Sequence, residues 1–119
     1  MNETREQKLA AARARMAELA AKFIERTQRD LSIMRADLEK AGAGDAGALA
    51  EIRNLAHRMA GTGATLGFEA LGERAAGTEA KIDALLAGPP PDSRTIERLA
   101  ADIGALESQL ESDAGHAAR

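Results

Sequence analysis

Residues 45–67, DAGALAEIRNLAHRMAGTGATLG, decide how this chain folds. Asp45 is a good N-cap, a side-chain acceptor for the free N–H groups of a first helical turn. Behind it Leu49, Ile52, Leu55, Ala56 and Met59 recur at steps of three and four, which places them on one face of a helix. That helix should continue to about Thr65, with Gly67 marking a tight reversal. The segment before it ends in Ala41-Gly42-Ala43-Gly44, where two glycines stop one helix and open the turn to the next.

The same reading extends in both directions. Upstream, Thr4 and Gln7 have the spacing of a capping box. Leu9, Ala12, Met16, Leu19, Phe23, Leu31, Met34 and Leu38 then mark an apolar stripe without an intervening Gly or Pro, so helix is expected to about Lys40. Downstream, Leu71, Ala75, Thr78, Ile82 and Leu85 share a face of a third helix. Gly88-Pro89-Pro90-Pro91 closes it, because successive prolines cannot enter a helix interior. Asp92 or Ser93 caps a last helix bearing Ile96, Leu99, Ile103, Leu106 and Leu110. Four amphipathic segments with short connections predict an all-α antiparallel four-helix bundle with an extended N-terminal helical segment. One domain is expected over 1–111, with a small, polar, disordered tail over 112–119.

Composition agrees and excludes several functions. Among 119 residues there are no Trp, Tyr or Cys and two Phe, so the core must be aliphatic and has no disulfide, thiolate nucleophile or Cys-ligated metal. The formal charge is −3 with both signs interspersed, unlike the basic stripe of a nucleic-acid binder. No stretch approaches the ~20 apolar residues of a membrane span. The N-terminal Met1-Asn2-Glu3-Thr4-Arg5-Glu6 lacks the apolar run of a signal peptide, so a cytoplasmic protein is expected. Acidic residues scatter over helix faces without ligand spacing for zinc or a di-iron site. Gly61-Thr62-Gly63 with Gly67 is not GxGxxG, follows no strand and lacks the lysine of a P-loop. Autonomous kinase activity is not expected.

Of the two histidines, His116 falls in the expected tail and is read as solvated. His57 lies on the second helix, roughly 140° from the centre of the apolar stripe at ~100° per residue, and should face outward. Arg53 shares its face one turn before; Ala60, Gly61 and Ala64 follow it. Small residues beside an imidazole leave it open to a large partner. Gly61 inside a helix costs about 1 kcal/mol relative to Ala, which close approach of another molecule would explain. An ordinary surface histidine and a tolerated glycine are the plainer alternative.

The segment Leu55-Ala56-His57-Arg58-Met59-Ala60-Gly61-Thr62-Gly63-Ala64-Thr65-Leu66-Gly67 resembles the phosphorylation motif of histidine-containing phosphotransfer (HPt) domains, Ala-His-x-Leu-Lys-Gly followed by small residues and a Leu/Ile-Gly pair. His57, Gly61, Leu66 and Gly67 fall in register, as do Leu71 and Glu79 on the next helix and Phe23 and Leu31 on the preceding one. The resemblance covers about residues 19–86. It implies a phosphorelay carrier that accepts a phosphoryl group on His57 from the aspartate of a response-regulator receiver domain and passes it to another. Receivers and a hybrid histidine kinase are the implied partners. Magnesium would sit on the receiver, and the chain would need no cofactor of its own. Ala60 stands where the family has a lysine and Met59 replaces the leucine, so Arg53 or Arg58 could supply the missing positive charge. A degenerate, unphosphorylated adaptor is the alternative that Ala60 keeps open. A coiled-coil dimer through the N-terminal helix is a third, but the stripe falls short of sustained heptads with charged flanks, and a monomer is expected.

Overall fold

A computed structural model describes residues 4–117. Four helices follow in order: α1 (Arg5–Gly42), α2 (Ala46–Thr65), α3 (Glu69–Leu86) and α4 (Ser93–Ala117). Each packs on its neighbours in sequence, and α1 also packs on α4, so the four close into an up-and-down antiparallel ring. No strand occurs among the described residues. The helix ends are built as their residues dictate. Thr4 and Gln7 form a reciprocal capping box, and Asp45 accepts from the N–H groups of Gly47 and Ala48. Asp92 accepts from the N–H and hydroxyl of Thr95. Gly44 and Gly67 take φ of 103° and 88° in the two turns, a left-handed conformation that strains any residue with a Cβ.

The core is aliphatic, with Met34, Ile52, Leu71, Ile82, Ile103 and Leu106 fully buried. The two aromatics pair at one end of the bundle, where Phe23 of α1 meets Phe68 of the α2–α3 turn at 4.9 Å between ring centroids. Ion pairs cross the outer seams: Arg58–Asp30 joins α2 to α1, Arg53–Asp83 joins α2 to α3, Lys81–Asp102 joins α3 to α4, and Arg35–Glu107 joins α1 to α4. The exposed pairs among these each contribute on the order of 0–1 kcal/mol, whereas Asp30 of the first is buried. They fix register more than they add stability.

Two expectations from periodicity differ from the structure. The stripe on α1 is buried only from Phe23 onward; Leu9, Met16 and Leu19 are 47%, 49% and 47% exposed. The reason is length. At 1.5 Å per residue the 38 residues of α1 span about 57 Å, while the 20 of α2 span about 30 Å. The N-terminal part of α1 therefore projects past the end of the bundle, beyond the reach of α2. At the other terminus, residues 112–117 continue α4 rather than fray. Gln109 bonds Asp113 one turn on, and His116 Nδ1 lies 2.8 Å from the Ser112 carbonyl, so the last turn holds its own polar contacts. Residues 118 and 119 of the expected tail lie outside the described residues.

Candidate functional site

α2 and α3 approach closely, and glycine is the cause. A Cβ built on Gly72 would stand 3.1 Å from the Ala60 carbonyl oxygen and 3.3 Å from the Ala64 nitrogen, both backbone atoms. Gly63, facing it, would meet the Phe68 carbonyl and the Gly72 backbone at 3.4–3.5 Å. Backbone-to-backbone contact here draws the two antiparallel helices together and sets their register. About two and three turns further along, that register brings His57 opposite Glu79 and Arg53 opposite Asp83.

His57 projects outward, its side chain 64% exposed, beside a Glu79 side chain that is only 16% exposed. The His57 Nδ1 to Glu79 Oε2 distance is 2.8 Å. An ionised carboxylate can only accept, so Nδ1 carries the hydrogen and donates it. This assignment leaves the Nε2 lone pair free on the solvent side. The same Oε2 is ion-paired with Arg53 Nη2 at 2.9 Å, and Arg53 Nε donates to Asp83 at 2.9 Å. The bond to Asp83 pushes the Arg53 guanidinium further up from its already high range. The result is a chain of alternating charge, Asp83–Arg53–Glu79, ending on the imidazole. The Arg53 cation offsets the two carboxylates, while Glu79 fixes the ring orientation and its tautomer.

Arg53 thus faces α3, spanning the α2–α3 seam. Arg58 lies on the opposite side of His57, half-exposed, with Nη2 3.2–3.3 Å from the Asp30 carboxylate of α1. The two arginines flank the imidazole without meeting. Between α1 and α2 a groove of about 460 Å³ runs along Asp30, Ile33, Asn54, His57 and Arg58. Ala60 is half-buried against α3. Gly61 and Ala64 are exposed, and a methyl added to Gly61 would meet nothing within 4 Å among the described residues.

Sequence reasoning noted Glu79 only for its register and missed Asp83 and Gly72 altogether. Glu79 and Asp83 are four apart, hence on one helix face, and Gly72 follows Leu71 in the buried stripe. Those spacings are visible in the sequence; their pairing with α2 is not. No group of His, Asp or Glu side chains among the described residues is arranged to hold a metal ion. No helix among them is long and apolar enough to cross a membrane.

A family model described as the Hpt domain matches residues 18–111. No curated protein and no solved structure matches the chain.

Proposed function

The chain belongs to the Hpt domain family, whose members transfer phosphoryl groups through histidine in phosphorelays, and on that premise we propose that His57 is the phosphoryl acceptor and donor of this protein. The observation that carries the proposal is the state of the imidazole: largely exposed, with Nδ1 tied to Glu79 and Nε2 unencumbered.

In this reading the Nε2 lone pair attacks the phosphorus of an aspartyl phosphate on a receiver domain. The P–N bond forms as the P–O bond to the receiver's aspartate breaks, and the departing electron pair returns to that carboxylate. Because Nδ1 keeps its hydrogen, the ring gains positive charge as Nε2 bonds phosphorus. Glu79 stands 2.8 Å away to stabilise that charge. A ring held cationic is also the better leaving group for the return step onto another receiver's aspartate. Positioning and charge neutralisation supply most of such a transfer. The receiver would bring the magnesium ion and the lysine that this chain lacks. Receivers are the proposed partners, with a hybrid histidine kinase upstream. The protein would act as a cytoplasmic monomer without kinase activity of its own.

Gly61 and Ala64 form the open platform over which the receiver docks. Arg58, half-exposed in the groove beside His57, takes part of the role of the family's lysine, which is Ala60 here; Arg53 acts through Glu79. The adaptor reading retains one specific support, since both arginines are already engaged by carboxylates. Incubation with a phosphorylated receiver separates the two. Acid-labile label should appear on the chain, map to His57 by mass spectrometry run without acid, and vanish in His57→Gln. A wild-type chain that takes no label from any receiver able to phosphorylate other HPt domains would leave only the adaptor.

A further inference from the structure

The projecting part of α1 carries an exposed apolar seam. Leu9, Ala12, Met16 and Leu19 follow one another at steps of three, four and three, and Phe23 continues the register into the bundle, where it is buried. These are the a and d positions of two heptads. With Leu9 and Met16 at a, the g positions are Lys8, Arg15 and Lys22, and the e positions are Glu6, Arg13 and Ala20. Residues 5–22 hold five basic and two acidic side chains, whereas residues 23–119 hold eleven basic and sixteen acidic. A basic arm therefore projects from an acidic body. Most of the seam, including Leu9, Ala12 and Met16, precedes the family match at residue 18.

The flanking charges select the occupant. In a parallel pair of two copies, g faces e of the following heptad, setting Lys8 against Arg13 of the other chain and leaving Arg15 opposite Ala20. In an antiparallel pair centred on the seam, Arg15 faces its own counterpart, Arg13 does likewise, and Lys8 meets Lys22. Neither arrangement gives an attractive pair, and like charges across such a seam are destabilising. A membrane surface would attract the basic flanks but needs a broad, bulky apolar face. Here the apolar positions form a narrow a/d line with alanine at one of them, the geometry suited to another helix.

We propose that the N-terminal part of α1 is a docking helix for an amphipathic helix of another protein whose flanking positions are acidic. Its position keeps it clear of the histidine. Ile33 lies in the groove beside His57, and Leu19 and Leu9 are about 21 and 36 Å from it along the helix axis. A partner held on the arm would raise the local concentration of whatever binds elsewhere on the chain while leaving the imidazole open. The seam stands whether or not His57 is phosphorylated.

The test uses the full chain and a synthetic three-heptad peptide with Leu at a and d and Glu at e and g. A control peptide has the same composition with its leucines scrambled. The patterned peptide should bind, more weakly as salt rises, and the scrambled one should not. Met16→Asp, and separately the double variant Arg13→Glu/Arg15→Glu, should each weaken binding at least about tenfold. The thermal unfolding of the bundle should stay unchanged in both, because these side chains are exposed. Equal binding of both peptides, binding untouched by the variants, or no binding at all overturns the proposal. Sedimentation of the chain alone as a dimer that Met16→Asp dissociates would assign the seam to a second copy instead. Co-sedimentation with phosphatidylglycerol vesicles, lost in the same variants while the peptide does not bind, would assign it to a membrane. Either result refutes the proposal.

Discussion

The close α2–α3 contact yields a quantitative prediction from three glycines that differ in what a methyl group would meet. At Gly61 the added Cβ finds open space, so Gly61→Ala should gain helix propensity, stabilising by up to about 1 kcal/mol. At Gly63 it meets backbone at 3.4–3.5 Å, ordinary contact, and the propensity gain should survive largely intact. At Gly72 it meets the Ala60 carbonyl oxygen at 3.1 Å and the Ala64 nitrogen at 3.3 Å. Neither atom can swing aside as a side-chain tip would, so the two helices must part by a few tenths of an ångström. Overpacking of this kind costs roughly 1–3 kcal/mol; with the propensity gain of about 1 kcal/mol, Gly72→Ala should be destabilising by about 0–2 kcal/mol. For a domain of this size 1 kcal/mol corresponds to about 4 °C in Tm. Thermal and urea unfolding of the three variants should therefore order them Gly61→Ala, Gly63→Ala, wild type, Gly72→Ala, from most to least stable. Gly72→Ala should also loosen the His57–Glu79 contact, and Gly72→Leu should do both more severely. If Gly72→Ala proves as stable as Gly61→Ala, backbone contact does not set the helix spacing, and the account of how Glu79 reaches His57 is wrong.

Glu79→Gln keeps the shape of the side chain but removes the charge facing His57 and frees Arg53. It should fold normally and slow label transfer from a phospho-receiver, more than Asp83→Asn does; equal rates for wild type and Glu79→Gln would show that the carboxylate does not stabilise the ring. Gly61→Glu should fold yet lose most transfer, because a bulky anion one turn from His57 obstructs the receiver and repels the phosphoryl group; a folded variant with the wild-type initial rate means the partner does not approach across this face. Arg58→Ala should slow transfer and cost roughly 1–3 kcal/mol of stability, because it removes the partner of the Asp30 carboxylate, whose side chain is only 11% exposed; the same label assay and urea unfolding measure the two effects. Asp37 is buried with one carboxylate oxygen unpartnered, and its hydrogen bond and charge raise the carboxyl of Glu51. A raised carboxyl favours folding below its unfolded pKa and loses that contribution as pH rises through the folded value. Asp37→Asn should therefore be stabilised relative to wild type by an amount that grows as pH rises through the acid range and levels off towards neutrality. A constant or shrinking difference in urea-unfolding free energy between pH 3 and pH 7 would contradict this.

What the chain's linear order determined is the inventory of elements and the outward direction of His57. Four apolar stripes at helical spacing, capped by Thr4, Asp45 and Asp92 and separated by Gly42–Gly44, Gly67 and Gly88–Pro91, sufficed for four helices with nearly correct ends. These features act locally, within a turn or two, so the sequence carries them in full. The outward position of His57 follows from the same short-range geometry. Partnership does not, because it depends on which helix lies alongside. The stripe on α1 reads identically on both sides of Phe23, yet only the part within reach of the shorter helices is buried; the remainder is left as an exposed, basic-flanked seam. Likewise Glu79 and Asp83 look like two surface acids until Gly72 lets α3 approach α2. That contact sets a spacing and register between residues far apart in sequence. Only the packed structure decides that one carboxylate holds the imidazole and the other its arginine.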